Sequence, residues 1–257
     1  MTDWNKQLTM LIRQNDASIW GNWSLVGNVA LGAYGVVDPR TAEFTILGNL
    51  IEEEDKLFNI TRKKSGDFSY MTKGVKQQDA GTEVNGKFVD PDTDTEVSVG
   101  VKFSWHFKEE TDLLVHFTAV NSESMGPVRS LQMSRIFANL RRAAAGAGLL
   151  TNSGGIAPGF IVVTDLIKSA GGFMVGSQSS NQSFSISGET KATSNLVEGV
   201  SGDAKASYSS TQATESIIKY VFPSPNQTIV AGSGIQAPIA FKAVSFNNLA
   251  LLTNWAG

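Results

Sequence analysis

The stretch EVSVGVKFSWHF, Glu96 to Phe107, restricts the possible folds of this chain more than any other. Val97, Val99, Val101, Phe103, Trp105 and Phe107 alternate without a miss against Glu96, Ser98, Gly100, Lys102, Ser104 and His106. A strict period of two puts the two sets on opposite sides of an extended chain and excludes a helix. Two sheets satisfy the pattern. One is a soluble antiparallel sheet with a single buried face. The other is a tilted membrane strand, which needs ~9–11 residues with one lipid-facing side. The residues alone leave both open. The turn-rich DPDTD before the stretch and a second alternating run, Leu113 to Val120, after it predict a long antiparallel meander.

Around this ribbon the pattern changes. In MTDWNKQLTMLIRQND, residues Trp4, Leu8, Leu11 and Ile12 share one helical face, with Lys6 and Arg13 roughly opposite. Ser24 to Val37 and Glu43 to Leu50 read as two strands joined through Asp38-Pro39-Arg40-Thr41. GPVRSLQMSRIFANLRRAAAGAG predicts a helix, with Pro127 in the first turn and Gly146 or Gly148 at the end. Its expected apolar face is Met133, Ile136, Phe137, Leu140 and Ala144, with Arg135 and Arg142 opposite and Arg141 flanking. Ser124 to Thr164 carries four arginines and no acidic residue. A strand over Phe160 to Lys168 leads into a long Ser-, Thr-, Gly- and Asn-rich tract, followed by strands near Ser216 to Phe222, Thr228 to Val230 and Pro238 to Phe246. Strands in runs with helices set apart describe an α+β fold, mainly antiparallel, and residues 1–257 read as one domain.

Composition narrows the chemistry. A formal charge of −3 argues against a nucleic-acid partner, which selects for a basic excess. With no cysteine there is no disulfide, thiolate nucleophile or thiolate metal site. His106 and His116, the only histidines, sit in separate runs without ligand spacing. GTEVNGKF, Gly81 to Phe88, follows a P-loop until Phe88 takes the place of the magnesium-binding hydroxyl, and the next residues cannot open a helix. No nucleophile elbow or zinc-protease motif occurs. The reading is a non-enzyme with no cofactor and no metal. Residues 1–30 lack the layout of a signal peptide.

In order, the chain offers an amphipathic helix, a strand pair, a long alternating hairpin, an arginine-rich helix, GFIVVTDLIKS, a Ser/Gly-rich hairpin and TIVAGSGIQAPIAFKAVSF. This resembles the pore-forming N-terminal domain of gasdermins, on Val162 to Asp165, Thr228 to Ser233 and Ala240 to Val244. Asp165 stands where the family usually has Glu. The chain stops at Gly257 with no repressor domain, which is similar to the fungal regulator-of-cell-death gasdermin homologues. The resemblance implies a twisted sheet with flanking helices and two long insertion hairpins. It also implies a cytoplasmic protein that moves to the plasma membrane, binds acidic phospholipids and assembles with itself or with a divergent variant of the family. The assembled hairpins would form a β-barrel pore that causes lytic cell death, as in heterokaryon incompatibility.

Carried over by position, the lipid contacts are Lys6 and Arg13, Arg40, then Arg129, Arg135, Arg141 and Arg142. The inserting side chains are Val97, Val99, Val101, Phe103, Trp105 and Phe107, with Phe184 and Ile186 from the second hairpin. The turn at Arg40 lacks the aromatic tip of animal members. The Ser/Gly tract fits a barrel strand, which needs one apolar face and tolerates Ser and Thr on the other. Before insertion it is expected to be loosely packed. The alternative is a non-lytic β-rich module for lipid or glycan.

Overall fold

The computed structural model describes residues 3–25, 29–53, 57–66, 68–78, 86–90, 95–198, 205–222, 224–225, 227, 229–230 and 236–257. The chain runs α1 (Trp4–Ile12), β1 (Ile19–Gly21), β2 (Ala33–Asp38), β3 (Glu43–Asn49), α2 (Leu50–Glu53), β4 (Asn59–Lys64), β5 (Phe68–Met71) and β6 (Val75–Gln78). Next come β7 (Gly86–Asp90), β8 (Thr95–Val99), β9 (Val101–Phe107), β10 (Leu113–Gly126), a 3-10 turn (Val128–Gln132) and α3 (Ser134–Gly146). After them follow β11 (Phe160–Ser177), β12 (Gln182–Gly188), α4 (Thr190–Glu198), β13 (Lys205–Ala206) and β14 (Ser210–Ala213). The chain finishes with β15 (Ile217–Phe222), β16 (Ile229–Val230), β17 (Ala237–Asn247) and β18 (Ala250–Leu252). The fold is α+β with mainly antiparallel sheets, as the sequence predicts.

The chain divides into two compact units. A helix-flanked unit comprises Asp3–Lys64, Asn121–Lys168 and Pro238–Gly257. A hairpin unit is made from two excursions of the chain, Ser65–Val120 and Ser169–Ala237. β10 and β11 belong in part to each unit.

In the helix-flanked unit, β1 pairs with β17, β2 with the start of β11 and with β3, and β4 with the end of β10. The core is Phe160 to Val163, Phe241 and Phe246, closed by Ile136, Leu140 and Ala144 at helical spacing on α3. Met133, expected on that face, is 49% exposed, because it precedes the helix with extended backbone. The expected strand from Ser24 begins only at Ala33. α1 is capped by Asp3, whose carboxylate accepts from the Lys6 N–H at 3.3 Å, and it buries Trp4, Leu8, Leu11 and Ile12. Its approach to β1 requires Gly21, where a Cβ would lie 2.5 Å from Leu8 Cγ. Trp4 stacks on Trp23 at 5.0 Å and Trp20 on Trp255 at 5.4 Å.

In the hairpin unit, a sheet in the order β14-β12-β9-β6 buries Phe103, Trp105, Phe107, Phe184 and Ile186 with Phe173, Val175 and Leu196. Trp105 lies 5.8 Å from Phe184 and 5.3 Å from Phe173. The expected loose packing of the Ser/Gly tract is corrected here. β12 is buried from Phe184 to Gly188, and the tract also holds α4, which buries Ala192, Thr193 and Leu196. Serine can be buried because its hydroxyl is bonded, as where Ser187 meets Ser210 at 2.9 Å. Phe173 and Val175 fall out of phase with Phe184 and Ile186 because a bend at 178–181 separates their strands, and all four are buried. The expected Glu96 to Phe107 strand breaks at Gly100 into β8 and β9.

The two cores share no residue. Phe184→Ala is expected to cost about 3–5 kcal/mol in the hairpin unit. Amide hydrogen exchange is the check: protection should fall in β9 and β12 and persist in Phe160 to Val163.

Candidate functional site

The long antiparallel arms of the chain keep their registers over most of their length. β4 and β5 pair with β10 in one register, from Asn59 opposite Gly126 to Met71 opposite Leu114. β7 and β8 pair in that same register, with Gly86 opposite Val99. Only β6 slips, by three residues, to place Val75 opposite Phe107. Among the described residues, β4 to β7 and β8 to β10 are thus the two arms of one hairpin.

The arm 101–126 also pairs with the arm 160–188. β10 neighbours β11, and β9 pairs with β12 from Gln182 opposite Phe107 to Gly188 opposite Val101. The Ser177 N–H donates to the Asp112 carbonyl at 2.9 Å in the same register, so the bends at 108–112 and 178–181 leave it unbroken. Within the β9–β12 ribbon Trp105 faces Phe184 and Phe103 faces Ile186, while His106, Ser104 and Lys102 face Ser183, Ser185 and Ser187. Apolar meets apolar and polar meets polar, the arrangement of a two-faced ribbon. Val101, Phe103, Trp105, Phe107, Phe184 and Ile186 are all buried. The side chains of Val97 and Val99, the Thr228 to Ser233 turn apart from the backbone of Ile229 and Val230, and most of Gly81 to Phe88 lie outside the described residues.

Three arms are rooted in the helix-flanked unit by one ion cluster. The Arg62 Nε donates to Glu123 at 2.9 Å and the Lys168 Nζ lies 2.8 Å from the other carboxylate oxygen. Beside it the Ser124 hydroxyl donates to Asp165 at 2.6 Å and the Thr164 hydroxyl at 2.9 Å. Burial pushes Glu123 upward, but the bonds from Lys168 and Arg62 outweigh it and hold the carboxyl below its ordinary value. None of this is legible in the sequence, since Arg62, Glu123 and Lys168 belong to three separate segments.

The candidate cations divide into two kinds. Lys6, Arg129, Arg135, Arg141 and Arg142 are exposed. Arg40 is exposed at the β2–β3 turn but is paired with Asp38, with one contact at 3.0 Å. Arg13 is half-buried, with its guanidinium 4.0 Å above the Trp20 ring and its Nε donating to the Ile19 carbonyl at 2.9 Å. That contact makes Arg13 a cation–π brace for the α1–β1 connection. Burial lowers its pKa from the ordinary arginine value. Arg141 of α3 borders a groove of about 600 Å³, lined also by Gln132, Ser134, Phe137, Asn248 and Leu249 among others. Arg141 and Arg142 also line a second hollow with Leu150. At the first groove sits Leu249, 65% exposed, a residue the sequence reading missed. The only signal for it is an apolar residue at the tip of a hairpin turn, after Asn248 with φ 59°.

Among the described residues no three His, Asp or Glu are grouped to hold a metal, and no helix is long and apolar enough to cross a membrane, which does not bear on strands. Comparison with protein-family models and with curated proteins gives no match.

The ion cluster sets a pH dependence. Because the folded pKa of Glu123 lies below the unfolded one, its stabilisation is present above about pH 4.5 and is lost as pH falls through the folded value. Urea midpoints should therefore place Glu123→Gln below wild type at neutral pH, with the gap closing in acid. The comparison also cancels the contribution of Asp16, present in both proteins. Burial pushes Asp16 upward, but Lys242 and Ser18 hold it at about 2.

Proposed function

We propose that this chain is a pore-forming protein of the gasdermin type, which binds acidic phospholipids, oligomerises and inserts two long β-hairpins into the membrane. The observation that supports it most is the common register of the arms. A chain that already pairs β4 and β5 with β10, β7 with β8 and β9 with β12 needs to unbend those arms and shift β6 by three residues rather than find new partner strands. Both excursions also belong to one unit with its own core, so their release spares the core of the helix-flanked unit. The two-faced ribbon suits both environments, since its apolar side can face a soluble core or hydrocarbon.

Free energy favours doing this in company. The six buried side chains of the ribbon, Val101, Phe103, Trp105, Phe107, Phe184 and Ile186, are worth on the order of 10 kcal/mol of apolar burial in either environment. An isolated hairpin in hydrocarbon would leave unpaired edge groups costing several kcal/mol each, so insertion waits for neighbouring copies to close the edges. Each arginine near an anionic leaflet adds about 1 kcal/mol, and a ring of subunits multiplies that. The burial of β9 and β12 equally favours a second reading, a non-lytic β-rich lipid- or glycan-binding module with a static core. Dye release separates them: the pore reading requires leakage from acidic liposomes, and binding without leakage at any concentration would support the module.

Arg135→Glu with Arg142→Glu should weaken co-sedimentation with anionic liposomes by about tenfold or more, at about 1 kcal/mol for each charge removed and again for each charge reversed. The circular dichroism spectrum should not change, and added salt should weaken wild-type binding too. Unchanged binding of the double variant would remove α3 from the lipid surface. Assembly with a divergent variant of the same family has its own test. At equal total protein, the mixed pair should release more dye than this chain alone, because a mismatched contact weakened by about 3 kcal/mol lowers association roughly a hundredfold.

A further inference from the structure

Arg62, Lys63 and Lys64 lead directly to Ser65. Among the arginines of the chain, Arg62 alone has a serine or threonine three residues after it. A charge run is most often only a solvated face, but the fold sets this one apart in three ways. β4 is a sheet edge, with β10 as its one paired strand among the described residues, and all six of its side chains are exposed. The chain also leaves strand structure at the serine. Lys64 faces Asn121 and Phe68 faces Phe117, while Ser65 and Gly66 between them belong to neither strand. The Ser65 N–H donates to the Val120 carbonyl at 2.8 Å, and Ala119, which the register puts opposite Gly66, has φ 50°. Ser65 and Gly66 are exposed, and a Cβ on Gly66 would meet open space.

The arginine is presented as openly as the serine. Its side chain is 73% exposed even though its Nε donates to Glu123. A guanidinium carries five N–H donors, so one bond to Glu123 leaves others for a second carboxylate. Arginine three residues before a hydroxyl, on an accessible and extended segment, matches a protein kinase whose substrate groove is acidic and discriminates by charge pattern.

We propose that Ser65 is a phosphorylation site for a basophilic serine kinase, recognised through Arg62 with Lys63 and Lys64. In the transfer the Ser65 Oγ attacks the γ-phosphorus of ATP, the new O–P bond replaces the bond to the departing ADP, and the hydroxyl proton passes to the carboxylate base of the kinase. The product adds a charge of about −2 next to three cations. The consequence rests on the pore reading above, in which β4 and β5 belong to an arm that has to approach an anionic surface and unbend. A dianion on that arm opposes both, so phosphorylation holds the chain in its soluble form.

The full chain, incubated with ATP and the catalytic subunit of a cyclic-AMP-dependent kinase, should take up phosphate that peptide mass spectrometry places on Ser65. Ser65→Ala should abolish the uptake, and Arg62→Ala should slow it about tenfold or more. Because Arg62→Ala also breaks the pair with Glu123, Glu123→Gln is its control: it breaks the same pair, leaves the motif intact and should be phosphorylated at least as fast as wild type. Phosphate on other residues with Ser65 unmodified would overturn the site. So would uptake by a free peptide of residues 59–66 without uptake by the folded chain. Dye release from acidic liposomes reads the consequence: the phosphorylated chain should leak about tenfold more slowly than the untreated one, and equal rates would overturn the regulation. An untreated chain that releases no dye at any concentration would remove the pore reading, while mass spectrometry would still decide the site.

Discussion

The pairing of β10 with β11 is the constraint on which the rest of the molecule depends. These are the longest strands described, at 14 and 18 residues, and each belongs in part to both compact units. Close contact of their backbones is enforced at Gly172, where φ is 151° and a Cβ would lie 2.2 Å from the His116 carbonyl. The Ser169 hydroxyl donates to the Thr118 carbonyl at 2.6 Å, so a small polar residue fills the space that a larger one would deny. Once that pair is formed, β4 and β5 follow on one side, and β9 and β12 continue it past the bends.

The two units use different means to hold the strands they share. In the helix-flanked unit the pairing carries charges: Glu123 between Lys168 and Arg62, and Asp165 taking the Ser124 and Thr164 hydroxyls. In the hairpin unit it carries aromatic rings and bonded serines. Partly exposed ion pairs add little net stability but penalise wrong registers, because a slip would leave Glu123 without its cations. Apolar packing is non-directional and tolerates rearrangement better. Charges thus fix the register near the roots, and rings stabilise the part that the proposed mechanism would have to unbend.

How much of this was legible in the sequence follows from the range of the forces involved. The alternation of β9, the stripe of α1 and the apolar positions Ile136, Leu140 and Ala144 are local patterns with a period, and all three are present. Arg13, Met133 and the Ser/Gly tract read differently because tertiary neighbours decided them. Trp20 captured Arg13, the 3-10 turn shifted the start of α3 past Met133, and β9 with β14 buried serines that composition alone would leave loose. The Arg62–Glu123–Lys168 cluster had no local signal at all. Leu249 had a faint one, an apolar residue in a tight turn.

The Ser/Gly tract shows why a chain of this kind would keep weakly apolar strands. β12 offers Phe184 and Ile186 to one side and Ser183, Ser185 and Ser187 to the other, opposite the matching sets of β9. Larger apolar residues at the serine positions would deepen the soluble core and would also make both faces of the ribbon apolar. A strand apolar on both faces cannot border water in a barrel lumen, and in solution it invites aggregation whenever it is exposed. Charged residues throughout would forbid burial next to α4 and β14. Serine satisfies both environments because its hydroxyl bonds a neighbour when buried, as Ser187 does with Ser210, and bonds water when it is not. The composition of the tract therefore suits the buried ribbon and is also what the proposed pore reading would require of it.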